Sequence, residues 1–319
     1  MKPTSIISLI VAVVLVVAGL VTCMIAQNMA QANGEYLFSE VRGEDNVQTV
    51  DLTDSDISKI ELAADQVEIN IIGRQEKSYI EFVNFRDNYY SLSQSNRVLS
   101  FDEIPDMASM LKFWENGFSF KGMRYLFTFN NDDEDVERKK VINVFLKSDK
   151  EIKIFDIKSD FCTLNIENMT TGTDYIIITK ELTLNSNTIK TTSSLSINTG
   201  KDIEPADKVN LNMNTSLVTN MSVHAQEIFM DADMFRCSGN GNFICDNGNF
   251  DITTIKKTSA QNFDINTEYG SIYIEGVNSG STYKFTGDES VEGTFRIESR
   301  NANINISSAT SGPSAETIN

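Results

Sequence analysis

The chain reads as all-β, a stack of short repeated strands, and three observations lead there. Apolar residues recur in i, i+2 pairs along the whole C-terminal half: Leu182/Leu184, Leu195/Ile197, Leu211/Met213, Ile228/Met230, Phe250/Ile252, Phe263/Ile265, Ile272/Ile274, Tyr283/Phe285, Phe295/Ile297 and Ile304/Ile306. That alternation is the mark of a half-buried strand. Near the C-terminus the pairs fall into two interleaved series, Phe250, Ile272, Phe295 and Phe263, Tyr283, Ile304, at intervals of 20 to 23 residues. A repeat of about 21 residues with two strands in each predicts stacked rungs, since one rung alone cannot bury its inward side chains. The joining residues are Asn, Gly, Ser, Thr and Asp, and the chain has only 4 prolines, as a backbone with nearly every N–H in a ladder requires. A β-sandwich, with short strands every 8–12 residues, is the alternative architecture.

The N-terminus sets the compartment. Residues 1–4 are short and carry Lys2; Ser5 to Ala26 then run without charge, dominated by Val, Ile and Leu. At about 1.5 Å per residue this run spans roughly 33 Å, enough for a hydrocarbon core of about 30 Å. Lys2 precedes it and the next charge is Glu35, so the expected topology is a single-pass signal-anchor with the N-terminus cytoplasmic and the C-terminal domain extracytoplasmic. A cleaved signal peptide, with Ala30-Gln31-Ala32 as its site, and a lipoprotein signal ending at Cys23 are the other readings.

Residues 27–54 lack periodicity and read as a tether. The strand-repeat domain is expected over 55–307, opening with "DISKIEL", "QVEINII" and "SYIEFV". A less regular, partly helical insertion interrupts it at 84–123. Within that insertion Pro105 suits the start and Gly117 the end of an expected helix with Met107, Met110, Leu111 and Trp114 on one face, read as a cap for an open sheet end, with a docking helix for a partner or membrane surface as the alternative. "NNDDEDVE", Asn130 to Glu137, lacks the EF-hand spacing and reads as a solvated acidic loop. Residues 308–319 form a tail.

The formal charge is −18 for the whole chain and −19 without Lys2. Such a surface repels phosphate backbones, so nucleic acid is not an expected partner. Outside the membrane run the cysteines are Cys162, Cys237 and Cys245. Cys237 and Cys245 flank a Gly/Asn turn and could bridge across it, or all three could be small buried hydrophobes.

Chemistry is sparse. His224 is the sole histidine, too little for a triad or a zinc site, and reads as a strand residue. "CSGNGN" lacks the third glycine of a nucleotide loop. Asp231 with Asp233, or Asp251 with Asp264, could form the carboxylate pair of a polysaccharide-cleaving enzyme, although outward strand aspartates explain them equally. No catalytic, cofactor or metal residues are assigned. The abundant asparagines are expected as stacked amides at rung corners.

An apolar N-terminal run, then "ISKIELAADQVEINII", "VINVFLKSDKEIKIFDIKSDFCTLNIEN", "YGSIYIEGV" and "RNANINIS" resemble the putative-adhesin family of bacterial envelope proteins, domain of unknown function family 4097, over Ile57 to Ser307. The resemblance implies a right-handed β-solenoid outside the membrane and brings no catalytic residues. The expected function is a non-catalytic envelope binding module, adhesin-like or sensing, whose partner is a cell-wall polymer or an envelope protein. A polysaccharide-active enzyme and a structural accessory of a membrane signalling complex are the alternatives.

Overall fold

Strands form wherever the sequence alternates. The structure is a computed structural model that describes residues 46–53, 55–85, 90–103, 139–169, 172–190, 194–255, 258, 261–287 and 293–309. The chain divides into two units. One, Met1–Asp45 with Pro105–Glu137, lies outside the described residues; the other, Asn46–Ile104 with Arg138–Asn319, holds the seventeen strands found among them. No described residue is in an α-helix. The apolar run 5–26 expected as a membrane anchor, the helix expected from Pro105 and the acidic loop expected over 130–137 all fall outside the described residues.

The strands share one sheet but build two ladders. The N-terminal halves of β8 (Ile154–Glu167), β9 (Asp174–Lys190), β12 (Asn220–Cys237), β13 (Gly241–Thr254), β14 (Asn262–Ile274) and β17 (Thr294–Ser308) lie in the first ladder; their C-terminal halves lie in the second. β2 (Lys59–Ala63), β6 (Val98–Glu103) and β10 (Ser194–Ile197) complete the first ladder by parallel pairing. β3 (Val67–Gln75), β7 (Lys140–Lys147) and β11 (Ala206–Val218) do so for the second. Parallel, in-register pairing is what stacked repeats demand and is foreign to the antiparallel sheets of a sandwich.

Antiparallel strands close both ends. β1 (Val47–Asp51) pairs with β4 (Tyr79–Val83), β4 with β7, and β5 (Tyr90–Ser95) with β6. At the other end β15 (Val277–Asn278) and β16 (Thr282–Phe285) fold back on β14. Short strands of reversed direction leave little free parallel edge for another chain to extend. Two expectations are corrected at the first end. Residues 47–51, placed in the tether, are a strand, and residues 90–103 of the irregular insertion are a hairpin. The reason is packing: Phe82, Phe85, Tyr90 and Phe101 cluster there, with Phe101 stacked on Phe82 at 4.5 Å and on Tyr90 at 5.2 Å.

Parallel register aligns the inward side chains into columns. One runs Phe82, Ile142, Ile69, Leu164, Leu184, Leu211, Met230, Phe250, Ile304, Ile272 along the second ladder, every member buried. Each such side chain contributes about 1.5–3 kcal/mol by leaving water. This column also corrects the two sequence series. Ile304 belongs with Phe250 and Ile272, while Phe295 pairs with Phe263. The spacing misleads because β17, last in sequence, is inserted between β13 and β14, and because Tyr283 sits on an antiparallel strand.

Where strands leave the second ladder the backbone turns left-handed at Asn168, Thr188, Thr215 and Met234, with φ of 55°, 56°, 49° and 51°. These positions follow residues that are in register with one another: Glu167, Asn187, Asn214 and Asp233. Left-handed backbone is unfavourable for a β-branched residue. Thr188 and Thr215 offset it in the same way, each hydroxyl donating to the preceding asparagine Oδ1 at 3.1 Å.

Candidate functional site

The outward positions of the second ladder form three columns of their own. Nearest the corner run Phe161, Glu181, Lys208, Glu227, Asn247, Asn301 and Tyr269. Next come Thr163, Thr183, Asn210, Phe229, Asn249, Asn303 and Ser271. The third holds Asn143, Asn70, Asn165, Asn185, Asn212, Asp231, Asp251, Asn305 and Tyr273.

The amides of the third column are chained. Asn212 donates to Asn185 at 2.8 Å, Asn185 to Asn165 at 2.8 Å, Asn165 to Asn70 at 2.7 Å and Asn70 to Asn143 at 2.9 Å. Asn143 donates to Glu81 at 3.3 Å, ending the run on a carboxylate. Stacked strands bring identical side chains to the interstrand spacing of about 4.8 Å, so one amide feeds the next. These asparagines lie mid-strand, between inward apolar residues, and not at the rung corners where the sequence placed them.

Past Asn212 the column changes character. Asp231 and Asp251 stand in register on β12 and β13, both exposed, with Asn305 donating to Asp251 at 2.9 Å. With Asn210, Asn212, Phe229 and Asn249 they line a shallow depression of about 360 Å³. The Lys208 ammonium lies 5.2 Å from the Phe229 ring centroid, within cation–π range. Rings at Phe161, Phe229, Tyr269 and Tyr273 are 41%, 41%, 63% and 40% exposed.

The structure thus brings together one member of each suggested carboxylate pair, Asp231 and Asp251. Asp233 is two residues further along, opposite Asn214, and Asp264 lies in the first ladder opposite Arg296. Glycoside hydrolysis wants one carboxyl shielded from water so that it stays protonated, and neither Asp231 nor Asp251 is buried. His224 lies half-buried on the first ladder's outer side, in register with Ile244. Among the described residues no three His, Cys, Asp or Glu side chains group as metal ligands.

Several solved structures similar to this chain carry the name putative adhesin or putative cell adhesion protein. A putative cell adhesion protein from Clostridium sporogenes matches with a TM-score of 0.32 at 11% identity, over 83% of this chain and 99% of that one. A putative adhesin from Bacteroides fragilis matches at 0.34 and 12%, over 82% and 97%. A putative adhesin from Parabacteroides merdae matches at 0.24 and 12%, over 84% and 98%. No protein-family model and no curated protein matches the chain.

Among the described residues Cys162, Cys237 and Cys245 are free. Cys237 follows the corner in register with Val218, whereas Cys245 stands in the first ladder between Ala225 and Ser299, so the bridge is not formed. Burial pushes the Cys162 and Cys245 thiols up to about 12 and Cys237 to about 11, which keeps them protonated and unreactive.

Sequence reading expected stacked amides but placed them at the rung corners, and it passed over the exposed rings. A signal for the mid-strand amide column was present: Ile69-Asn70-Ile71, Ile142-Asn143-Val144, Leu164-Asn165-Ile166 and Leu211-Asn212-Met213 repeat one apolar–Asn–apolar triplet.

Proposed function

We propose that this chain is a non-catalytic binding module of a bacterial cell envelope, related to the putative adhesins. In this reading its stacked strands form a right-handed β-solenoid, held outside the cell membrane by a single-pass anchor over residues 5–26. The outer face of its second ladder holds a cell-wall polysaccharide.

The observation that carries the reading is that face: long columns of asparagine amides with exposed rings at Phe161, Phe229, Tyr269 and Tyr273 standing among them. Amides donate to and accept from sugar hydroxyls, and flat rings offer an apolar surface to the C–H side of a pyranose. The outer side of the first ladder is different in kind, laced with ion pairs such as Lys59 with Asp156 at 3.1 Å and Arg296 with Glu298 at 2.8 Å. Paired charges are already satisfied and offer less to a neutral ligand.

The test is co-sedimentation of the full-length protein, in detergent, with purified cell-wall fractions. Saturable retention without release of soluble sugar is the expected result. Released sugar would make Asp231 and Asp251 the centre of an enzyme instead, and absence of retention would remove the polysaccharide as partner.

A further inference from the structure

Three exposed rings on the second ladder obey one spacing. Phe161 is in register with Glu181, Glu181 with Lys208 and Lys208 with Glu227. Phe229 lies one outward position beyond Glu227. From there Phe229 is in register with Asn249, Asn249 with Asn303 and Asn303 with Ser271. Tyr273 lies one outward position beyond Ser271. Each interval is therefore three ladder steps across the strands and two residues along them. At about 4.8 Å per step and 3.3 Å per residue, the interval is roughly 16 Å, and the three rings fall on one diagonal. Their exposures agree as closely as their spacing, at 41%, 41% and 40%.

The core does not require this arrangement, because all three positions point away from it. No single small molecule reaches from one ring to the next. A protein partner is a poor match, since a protein interface has a continuous apolar centre and these rings are separated by Thr183, Asn210, Asn249 and Asn303. Charge selects further. Glu181, Glu227, Asp231 and Asp251 face outward there with Lys208 between two of them, so a polyanion meets net repulsion. The neutral amides between the rings suit hydroxyl groups.

Resting on the function proposed above, we propose that the ligand is an extended, uncharged polysaccharide that runs diagonally across the face along Phe161, Phe229 and Tyr273. Each ring stacks on the C–H side of one sugar, and the sugars between rings are held by the amides.

The experiment uses the full-length protein in detergent and an array of uncharged and anionic polysaccharides of several linkages, followed by affinity measurement on the best-bound probe. Retention on uncharged probes is expected. Phe161→Ala, Phe229→Ala and Tyr273→Ala should each weaken binding roughly five- to tenfold. Ile176→Ala, exposed on the first ladder's outer side, should leave it unchanged, and Phe229→Tyr should restore what Phe229→Ala loses. Fragments too short to span two rings should bind as weakly as the variants. Preference for anionic probes overturns the inference, as does binding by the three alanine variants as tight as that of the unsubstituted protein. Either result leaves the wall-polysaccharide function standing if wall fractions are still retained. Failure of wall retention by the unsubstituted protein removes the function and the diagonal together.

Discussion

Phe250 and Ile272 are two ladder steps apart, and Ile304 is paired with both of them. The final strand is thus an interior strand. Ile304 is 1% exposed, so Ile304→Ala should cost about 2–5 kcal/mol in chemical denaturation. Val277→Ala, at a position 66% exposed on the neighbouring hairpin, should cost almost nothing.

Two glycines of the same region separate conformation from contact. Gly270 and Gly276 both have positive φ, 123° and 74°. A Cβ on Gly270 would stand 2.0 Å from the Ala302 carbonyl oxygen, whereas one on Gly276 meets nothing within 4 Å among the described residues. Gly276→Ala should cost about 1 kcal/mol, from backbone strain alone. Gly270→Ala should exceed about 3 kcal/mol, because the β14–β17 ladder has to open to admit the methyl group. Thermal melts of the two variants decide it.

Tyr175 stacks on Phe155 at 5.7 Å in the first ladder, and its buried hydroxyl has no hydrogen-bond partner among the described residues. Burial pushes that phenol well above its ordinary range. Tyr175→Phe removes an unsatisfied polar group and leaves the ring stack, so stability should rise by about 1–2 kcal/mol. A loss of stability would mean that the hydroxyl has a water partner.

Glu275 closes the end of the stack. Its carboxylate accepts from the Ser308 hydroxyl, from the Ser308 N–H at 3.0 Å and from the Thr258 hydroxyl at 2.8 Å. These bonds, the Ser308 hydroxyl foremost, hold its pKa below the usual carboxylate value. A depressed folded pKa stabilises above the unfolded value, about 4.3, and the contribution is lost as pH falls through the folded value. Protection of the Ser308 amide, taken relative to its intrinsic exchange rate, should therefore fall below about pH 4 in the wild type. Glu275→Gln should exchange faster at neutral pH and lose that acid dependence.

Asn165 both donates to Asn70 and accepts from Asn185. Asn165→Ala breaks the amide chain at its centre and should cost about 1–3 kcal/mol. Asn305→Ala, which removes one bond to an exposed carboxylate, should cost less. Urea titrations of both variants measure the difference.

The strands themselves were legible because alternation is local: inward Ile272 and Ile274, outward Tyr273. Their neighbours were not. Equal spacing made Phe295 look like the successor of Ile272, but parallel pairing is decided by which strand reaches a vacant edge, and β17 reaches one between two earlier strands. The site was harder still. Asp231 and Asp251 meet because β12 and β13 are offset by 20 residues, which no feature of either aspartate announces. Phe229 looked like any strand aromatic until register placed it outward on a line with Phe161 and Tyr273.

The interior position of β17 also bears on how the protein is made. A ribosome delivers β13 and β14 before it delivers the strand that joins them. Until residues 294–308 emerge, both hold unpaired backbone edges, the kind of surface that proteases and chaperones engage. A nascent chain broken off by a premature stop never hides those edges. Without residues 294–308, β13 and β14 each lack the partner that joins them, and two edges stay open where the folded chain has a continuous ladder.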